Sequence, residues 1–480
     1  MGAERFKDQI ETVLARPVRP GQAGRKKTVG GLSGEQERMG MSEMMKWKPE
    51  SGKRMGLRPH VVLFAIALAL VPVSGHCDWL SSITELFGSK GKGMDTNIAS
   101  GEASHIKVVR EVALEIGRAP TPHAMAQTKD GGYVIAGTVW VPWATRVDAN
   151  GNVVWRYELS AYNPSAPKEG NGHYNGAAVL QDDSAILCGE MALPPPPGKP
   201  SGGVAGMLTH LDKAGQVLNH QILYPNGDKS YVLSRLKKCV PWGDGVAVVG
   251  HVSRFPKQGG REDSFWLIAL DGKGDIKWEK LISNPGDGVL TGGGTFKQIK
   301  VMSDGSLLLM ASHPVNNAPS DKATRFDIEG NVVGEGIIPG SLTADRSTHP
   351  GSALYLFTQT LIPKFDTSIS LWTLDGDLAN AKKLTGKAEG IGTGVFYRLP
   401  DGSLFLVGSE YRGGNAAMAW ISADLNRQET YIFKPVHNSA EIDNALPTGK
   451  PGEFVTARRV SHVSDQEKRP GVVLTFVQVK

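Results

Sequence analysis

The sequence predicts an all-β fold, a seven-bladed β-propeller whose N-terminal strand completes the last blade. Three observations carry that expectation. Glycine and proline are abundant, at 59 and 29 of 480 residues, while only 21% of residues are charged, a composition suited to many short strands joined by turns. A turn of Asp-Gly type followed by a short apolar run recurs along the chain. A strand with no repeat of its own precedes the first copy, and the last copy is one strand short.

In chain order, residues 1–60 are expected to be a disordered, overextended lead that ends in a basic region of Lys46, Lys48, Lys53, Arg54 and Arg58. Met41, Met44, Met45 or Met55 would make a more ordinary start. Residues 61–77 read as a signal-peptide core and cleavage region. The apolar run 61–71 is too short for a membrane span of about 20 residues, Pro72 ends it, and Val73-Ser74-Gly75 offers small residues for cleavage before His76. A lipid anchor on Cys77 is not expected, because His76 stands where a small residue is required. The mature chain is therefore expected in the periplasm or outside the cell, with no transmembrane segment, a linker at 78–104 and the propeller at 105–480.

Charge narrows the class of partner. Residues 1–77 hold 13 Lys and Arg against 7 Asp and Glu, which leaves 40 against 41 in the remainder. A near-neutral chain without a basic cluster lacks the footprint of a nucleic-acid binder.

The seven repeat turns are Asp130-Gly131, Asp182-Asp183, Asp244-Gly245, Asp304-Gly305, Gly351-Ser352, Asp401-Gly402 and Gly452-Glu453, each leading into an apolar run. They recur at steps of about 50 to 60 residues, the length of one four-stranded blade with its loops. A second motif lies inside each unit, clearest as Asp148-Ala149-Asn150-Gly151 before Trp155 and Asp271-Gly272-Lys273-Gly274 before Trp278, with weaker forms at Asp212, Asp327, Asp375 and Asp424. It predicts a turn between the third and fourth strands, Gly supplying the positive φ and Trp opening an outer strand that packs on a neighbouring sheet.

This Asp-x-x-Gly-x-x-x-Trp spacing resembles the repeat of the quinoprotein-type (PQQ-like) bacterial β-propellers over residues 105 to 480. The resemblance implies the fold and, here, a non-enzymatic member. Quinoprotein dehydrogenases of this type generally have eight blades, with calcium beside the quinone, acidic and Asn ligands and a catalytic Asp. This sequence has seven units and no matching acidic cluster, so no cofactor is expected.

The strand 106–116 precedes the first unit and the seventh unit lacks one strand, so the two should pair. Val108, Arg110, Val112, Leu114 and Ile116 alternate with Lys107, Val109, Glu111, Ala113 and Glu115. The polar members fit only part of a period of two, which predicts an outer strand.

Loops entering the innermost strands of a propeller surround one mouth of the channel. His123, His173, Tyr174, Tyr231, Arg235, Thr295, Lys297, Tyr397 and Arg398 are the expected ligand-binding residues there, each with the alternative of pointing sideways into packing. His123 and His173 sit at nearly the same repeat offset, but two histidines do not make a metal site. Cys188 and Cys239 either pair as a disulfide or are separate buried thiols. The proline run 194–197 reads as a stiff protruding loop. No nucleophile elbow, phosphate loop, dinucleotide fingerprint or zinc-protease motif is present, so no catalytic residue is assigned.

Three functions remain open on this reading. The first is a non-catalytic binding or scaffolding module for a protein or glycan partner. The second is a hydrolase or lyase at the channel mouth, favoured if a polar pocket gathers titratable groups. The third is an immunity-type protein that neutralises a toxic partner.

Overall fold

The computed structural model describes residues 104–114, 116, 120–139, 141–159, 172–193, 203–254, 261–283, 296–312, 320–339, 342–343, 354–361, 367–374, 382–388, 395–409, 415–433, 444–460 and 471–480. All of these fall in the second of two units, Gly88–Lys480. The lead, the signal core, the linker up to residue 103 and the proline run lie outside the described residues.

The described chain is all-β apart from one short 3-10 turn at Pro225–Gly227. After β1 (Ile106–Leu114), strands follow in antiparallel sets of four. Sheet 1 comprises β2 (Thr121–Gln127), β3 (Tyr133–Val139), β4 (Val141–Val147) and β5 (Val153–Glu158). Sheet 2 comprises β6 (Gly172–Val179), β7 (Ala185–Ala192), β8 (Val204–Leu211) and β9 (Val217–Leu223). Sheet 3 comprises β10 (Tyr231–Trp242), β11 (Gly245–Arg254), β12 (Glu262–Leu270) and β13 (Ile276–Ser283). A single parallel pair, Leu233 with Val204, joins sheets 2 and 3.

Sheet 4 comprises β14 (Phe296–Val301), β15 (Leu307–Ser312), β16 (Ser320–Phe326) and β17 (Val332–Pro339). Sheet 5 comprises β18 (Leu342–Thr343), β19 (Leu354–Leu361), β20 (Thr367–Leu374) and β21 (Lys382–Ala388). Sheet 6 comprises β22 (Val395–Arg398), β23 (Leu404–Ser409), β24 (Ala416–Ile421) and β25 (Gln428–Ile432). In sheet 7, β26 (Asn444–Pro447), β27 (Glu453–Val460) and β28 (Gly471–Val479) are completed by β1, which pairs antiparallel with β28.

The apolar runs are buried on both faces, and the period of two divides them between neighbours. In β3, Tyr133 and Ile135 share a core with Leu446, Val455 and Leu474 of sheet 7. Val134 and Ala136 share another with Leu187 and Met207 of sheet 2. Common cores likewise join sheets 2 and 3, through Ile186 and Val248, and sheets 3 and 4, through Val249 and Leu309. Sheets 6 and 7 meet through Phe405 and Phe454.

The Asp-x-x-Gly motif forms the expected turns. Asp148 accepts the N–H groups of Asn150 and Asn152 at 2.8 Å, and Asp212 and Asp271 bind their own turns in the same way. The outer strand of one sheet rests on the turn of the next. Trp155 donates its indole N–H to Lys213 O at 3.1 Å, and Trp278 donates to Ile328 O at 3.1 Å. A Cβ on Gly215 or Gly330 would lie 2.8 Å from these rings, and both glycines also hold positive φ. Arg110 of β1 continues the series by donating to Asn150 O and Ala149 O of sheet 1.

Exposure along β1 alternates throughout. Arg110 keeps the inner phase because its guanidinium lies 3.7 Å from the centre of the Phe476 ring, a cation–π contact that lets a charged residue occupy an inward position.

Candidate functional site

The first strands of sheets 1 to 4 share an irregularity. The register slips between Pro122 and Ala124, Tyr174 and Gly176, Leu236 and Lys238, and Phe296 and Gln298. The extra residues are His123, Asn175, Lys237 and Lys297. Each stands at the same position ahead of its repeat Asp, namely Asp130, Asp182, Asp244 and Asp304. A bulge sharpens the local twist, so the first strands of these four sheets carry one device repeated.

Beside this tier lies a cavity of about 430 Å³ lined by Thr138, Gly172, His173, Glu190, Ala192, Val204 and Arg235. That volume falls in the range of about 300–1,000 Å³ typical of small-molecule sites. His173 and Glu190 face each other across β6 and β7. The Glu190 side chain is only 9% exposed, and three nitrogens surround it. His173 Nε2 lies 3.4 Å from Oε1, Arg235 Nε 3.3 Å from Oε1, and Lys237 Nζ 3.4 Å from Oε2. The Lys237 contact is a hydrogen bond. Arg235 Nε is buried and out of line for one. The Arg235 side chain as a whole is 41% exposed. His123 stands beside His173, with ring centres 5.5 Å apart.

Burial holds the His173 imidazole below its usual range. Glu190 opposes that effect, while Lys237 and Arg235 add to it. His251, on β11, is also lowered, first by burial and then by cationic neighbours, with Asp263 opposing. A histidine whose folded pKa lies below its unfolded value of about 6.5 binds fewer protons folded than unfolded in that interval. Its contribution to stability is complete above pH 6.5 and is lost as pH falls through the folded pKa. The melting temperature is therefore expected to decline between pH 7 and pH 5, and the His173→Gln, His251→Gln double variant to show a flatter decline over that window in thermal melts.

The structure brings together His123, His173 and Arg235 of the expected set. Tyr174 is fully buried between sheets 1 and 2, where its hydroxyl bonds Thr209 at 2.7 Å. Tyr397 lies in the core of sheets 6 and 7, with its hydroxyl donating to Ala445 O. Tyr231 is buried between sheets 2 and 3, with the Arg254 guanidinium 5.5 Å from its ring centre. These three take the sideways alternative, because aromatic area gains more from the core than from a wet mouth. Arg398 lies against the repeat turn of sheet 6, its Nη2 beside Gly402, so it belongs to the opposite end of its strand. Lys297 occupies the β14 bulge, and Thr295 lies outside the described residues.

Solved structures show a distant likeness. YCF48 from Cyanidioschyzon merolae is 9% identical, covering 78% of this chain and 99% of its own, with a TM-score of 0.43. The polysaccharide lyase Uly1 is 10% identical over 76% of this chain and 92% of its own, at 0.41. The β-propeller domain of the Trilobed protease from Pyrococcus furiosus is 10% identical over 59% and 79%, at 0.34. No protein-family model and no curated protein matches the chain.

Glu190 and Lys237 were not among the expected site residues. Glu190 is the one charged residue in the apolar strand 185–192 and the cross-strand partner of His173, and either feature would have marked it. Cys188 and Cys239 are free, buried thiols in this structure. Burial, with Cys239 beside it as a hydrogen-bonding neighbour, pushes the Cys188 thiol up. Among the described residues, no group of three or more His, Cys, Asp or Glu side chains is placed to hold a metal, and no helix is long and apolar enough to cross a membrane.

Proposed function

We propose that this chain is a seven-bladed β-propeller, closed by β1 in sheet 7, that binds an acidic saccharide at one mouth of its channel beside sheets 1 to 3. Closure is supported by the common core of sheets 7 and 1 and by the Arg110 contacts with the sheet 1 turn. One observation carries the binding reading. The buried Glu190 carboxylate lies within 3.4 Å of His173, Arg235 and Lys237 on the wall of an open cavity.

A simple anion would gain from Arg235 and Lys237 but would be repelled by Glu190. A ligand with both hydroxyl and anionic groups satisfies the whole set, donating to Glu190 and accepting from the cations. A carboxylated or sulfated sugar has that chemistry, and it narrows the protein-or-glycan alternatives to a glycan. Galacturonate saccharides are the probe. Arg235→Ala and Lys237→Ala are each expected to weaken binding by about 1.5–3 kcal/mol, roughly ten- to hundredfold, the scale of a charge-assisted hydrogen bond. Titration calorimetry measures this, and unchanged affinity in both variants would rule the site out.

A second reading, catalysis at the same mouth, is favoured by one feature. A half-buried imidazole held toward its neutral form beside a carboxylate can accept a proton in acid–base chemistry. Release of new chain ends from polygalacturonate by the wild-type chain, abolished in His173→Gln, would decide for it. Binding without turnover would decide against it.

A further inference from the structure

The polar chain at the mouth continues past Glu190 onto sheet 3. Arg235 faces His251 across β10 and β11. His251 Nε2 lies 3.3 Å from Asp263 Oδ1, and Arg261 donates to the same oxygen from Nε at 2.9 Å. Ser253 bonds Asp263 through its hydroxyl and accepts from Arg261 Nη2 at 3.0 Å. The result repeats the first cluster: an Asp side chain 12% exposed, an imidazole against its carboxylate, and an Arg side chain 40% exposed. His251 also lies within electrostatic reach of Arg235 and Lys237. The two clusters are thus adjacent, with Arg235 at their border.

Rotation does not generate the second cluster from the first. Glu190 lies in the second half of the second strand of its sheet, whereas Asp263 stands near the start of the third strand of its own. The same three functional groups have been assembled from different repeat positions, which the fold alone does not require. Each cluster offers a recessed acceptor for a hydroxyl and an exposed donor for an anionic group, the pair that one unit of an acidic sugar chain presents.

We infer that Arg261, Asp263, His251 and Ser253 form a second subsite, so that the ligand is an acidic oligosaccharide of at least two units. This rests on the saccharide reading of the first cluster. A glutamate-rich peptide supplies carboxylates but no hydroxyl donors for Glu190 and Asp263, and it is the competing ligand to exclude.

The test is calorimetry with mono-, di- and trigalacturonate and with triglutamate, on the full chain and its variants. Wild-type affinity is expected to rise at least tenfold from mono- to digalacturonate. Arg261→Ala should remove that gain while leaving the monosaccharide affinity unchanged. Arg261→Lys, which keeps the charge, should restore part of the gain. Arg235→Ala should weaken all three saccharides. A length-dependent gain that survives in Arg261→Ala, or no gain in the wild type, would overturn the second subsite while leaving the first in place. Triglutamate binding as tightly as the trisaccharide would overturn the ligand class. If no galacturonate binds the wild type, both readings fail.

Discussion

Deletion of residues 104–117 is expected to convert a cooperative unfolding transition into a broad one, with aggregation of the truncated chain. The strand β1 buries Ile106 and Leu114, and Ile116 just beyond it, in two different cores. It pairs with β28 from Ile106 to Leu114 and sends Arg110 to the sheet 1 turn. Before the strand begins, His105 stacks on Trp420 of sheet 6 with ring centres 3.8 Å apart, and it contacts Glu429 at 2.6 Å. Each buried aliphatic side chain contributes about 1.5–3 kcal/mol, against a total stability of about 5–15 kcal/mol for a typical domain. Removal also strips β28 of its partner and leaves an open edge. Light scattering and a calorimetric melt measure the outcome. A monomeric truncation with an unchanged melting temperature would show that the fold does not depend on β1.

The second large effect is expected from Gly189→Ala. Gly189 faces Tyr174 across β6 and β7, one step from the His173–Glu190 pair. A Cβ there would lie 1.9 Å from the His173 carbonyl oxygen and 2.8 Å from Tyr174 Cα. Both contacts are with backbone, so no rotamer change relieves them, and the strands must part where the site is anchored. A loss of about 3 kcal/mol, the upper end of overpacking costs, is expected in chemical denaturation, together with loss of saccharide binding. Gly227→Ala is the control, since a Cβ there meets nothing within 4 Å and only its positive φ opposes it. An unaltered Gly189→Ala chain would mean that the two strands are less closely held than the geometry requires.

Much of the architecture was legible because its signals are local. The Asp148 and Asp271 turns, the glycines that follow them and the tryptophans of the outer strands can be read from a few consecutive residues, and the unpaired strand at 106–116 from a missing partner. The site was less legible because its residues meet across sheets. His173 and Arg235 stand nine residues ahead of their repeat Asp and Tyr174 eight, yet Tyr174 points the other way. A bulge reverses the face presented by every later residue of its strand, so counting from the turn cannot assign a side to a residue beyond the bulge. Glu190 and Asp263 stand on second and third strands, which that offset never samples.

The tryptophan contacts give the repeats a direction. Trp155 depends on the turn at Gly215, and Trp278 on the turn at Gly330, but in each case the dependence runs from the earlier repeat to the later one. A lesion in a turn is therefore felt first in the unit that precedes it. Such repeats cannot drift or be exchanged singly, because the bulky side chain and the absent Cβ that admits it are encoded in different units. At these two joints divergence must proceed by matched pairs, the later unit keeping the vacancy that its predecessor fills.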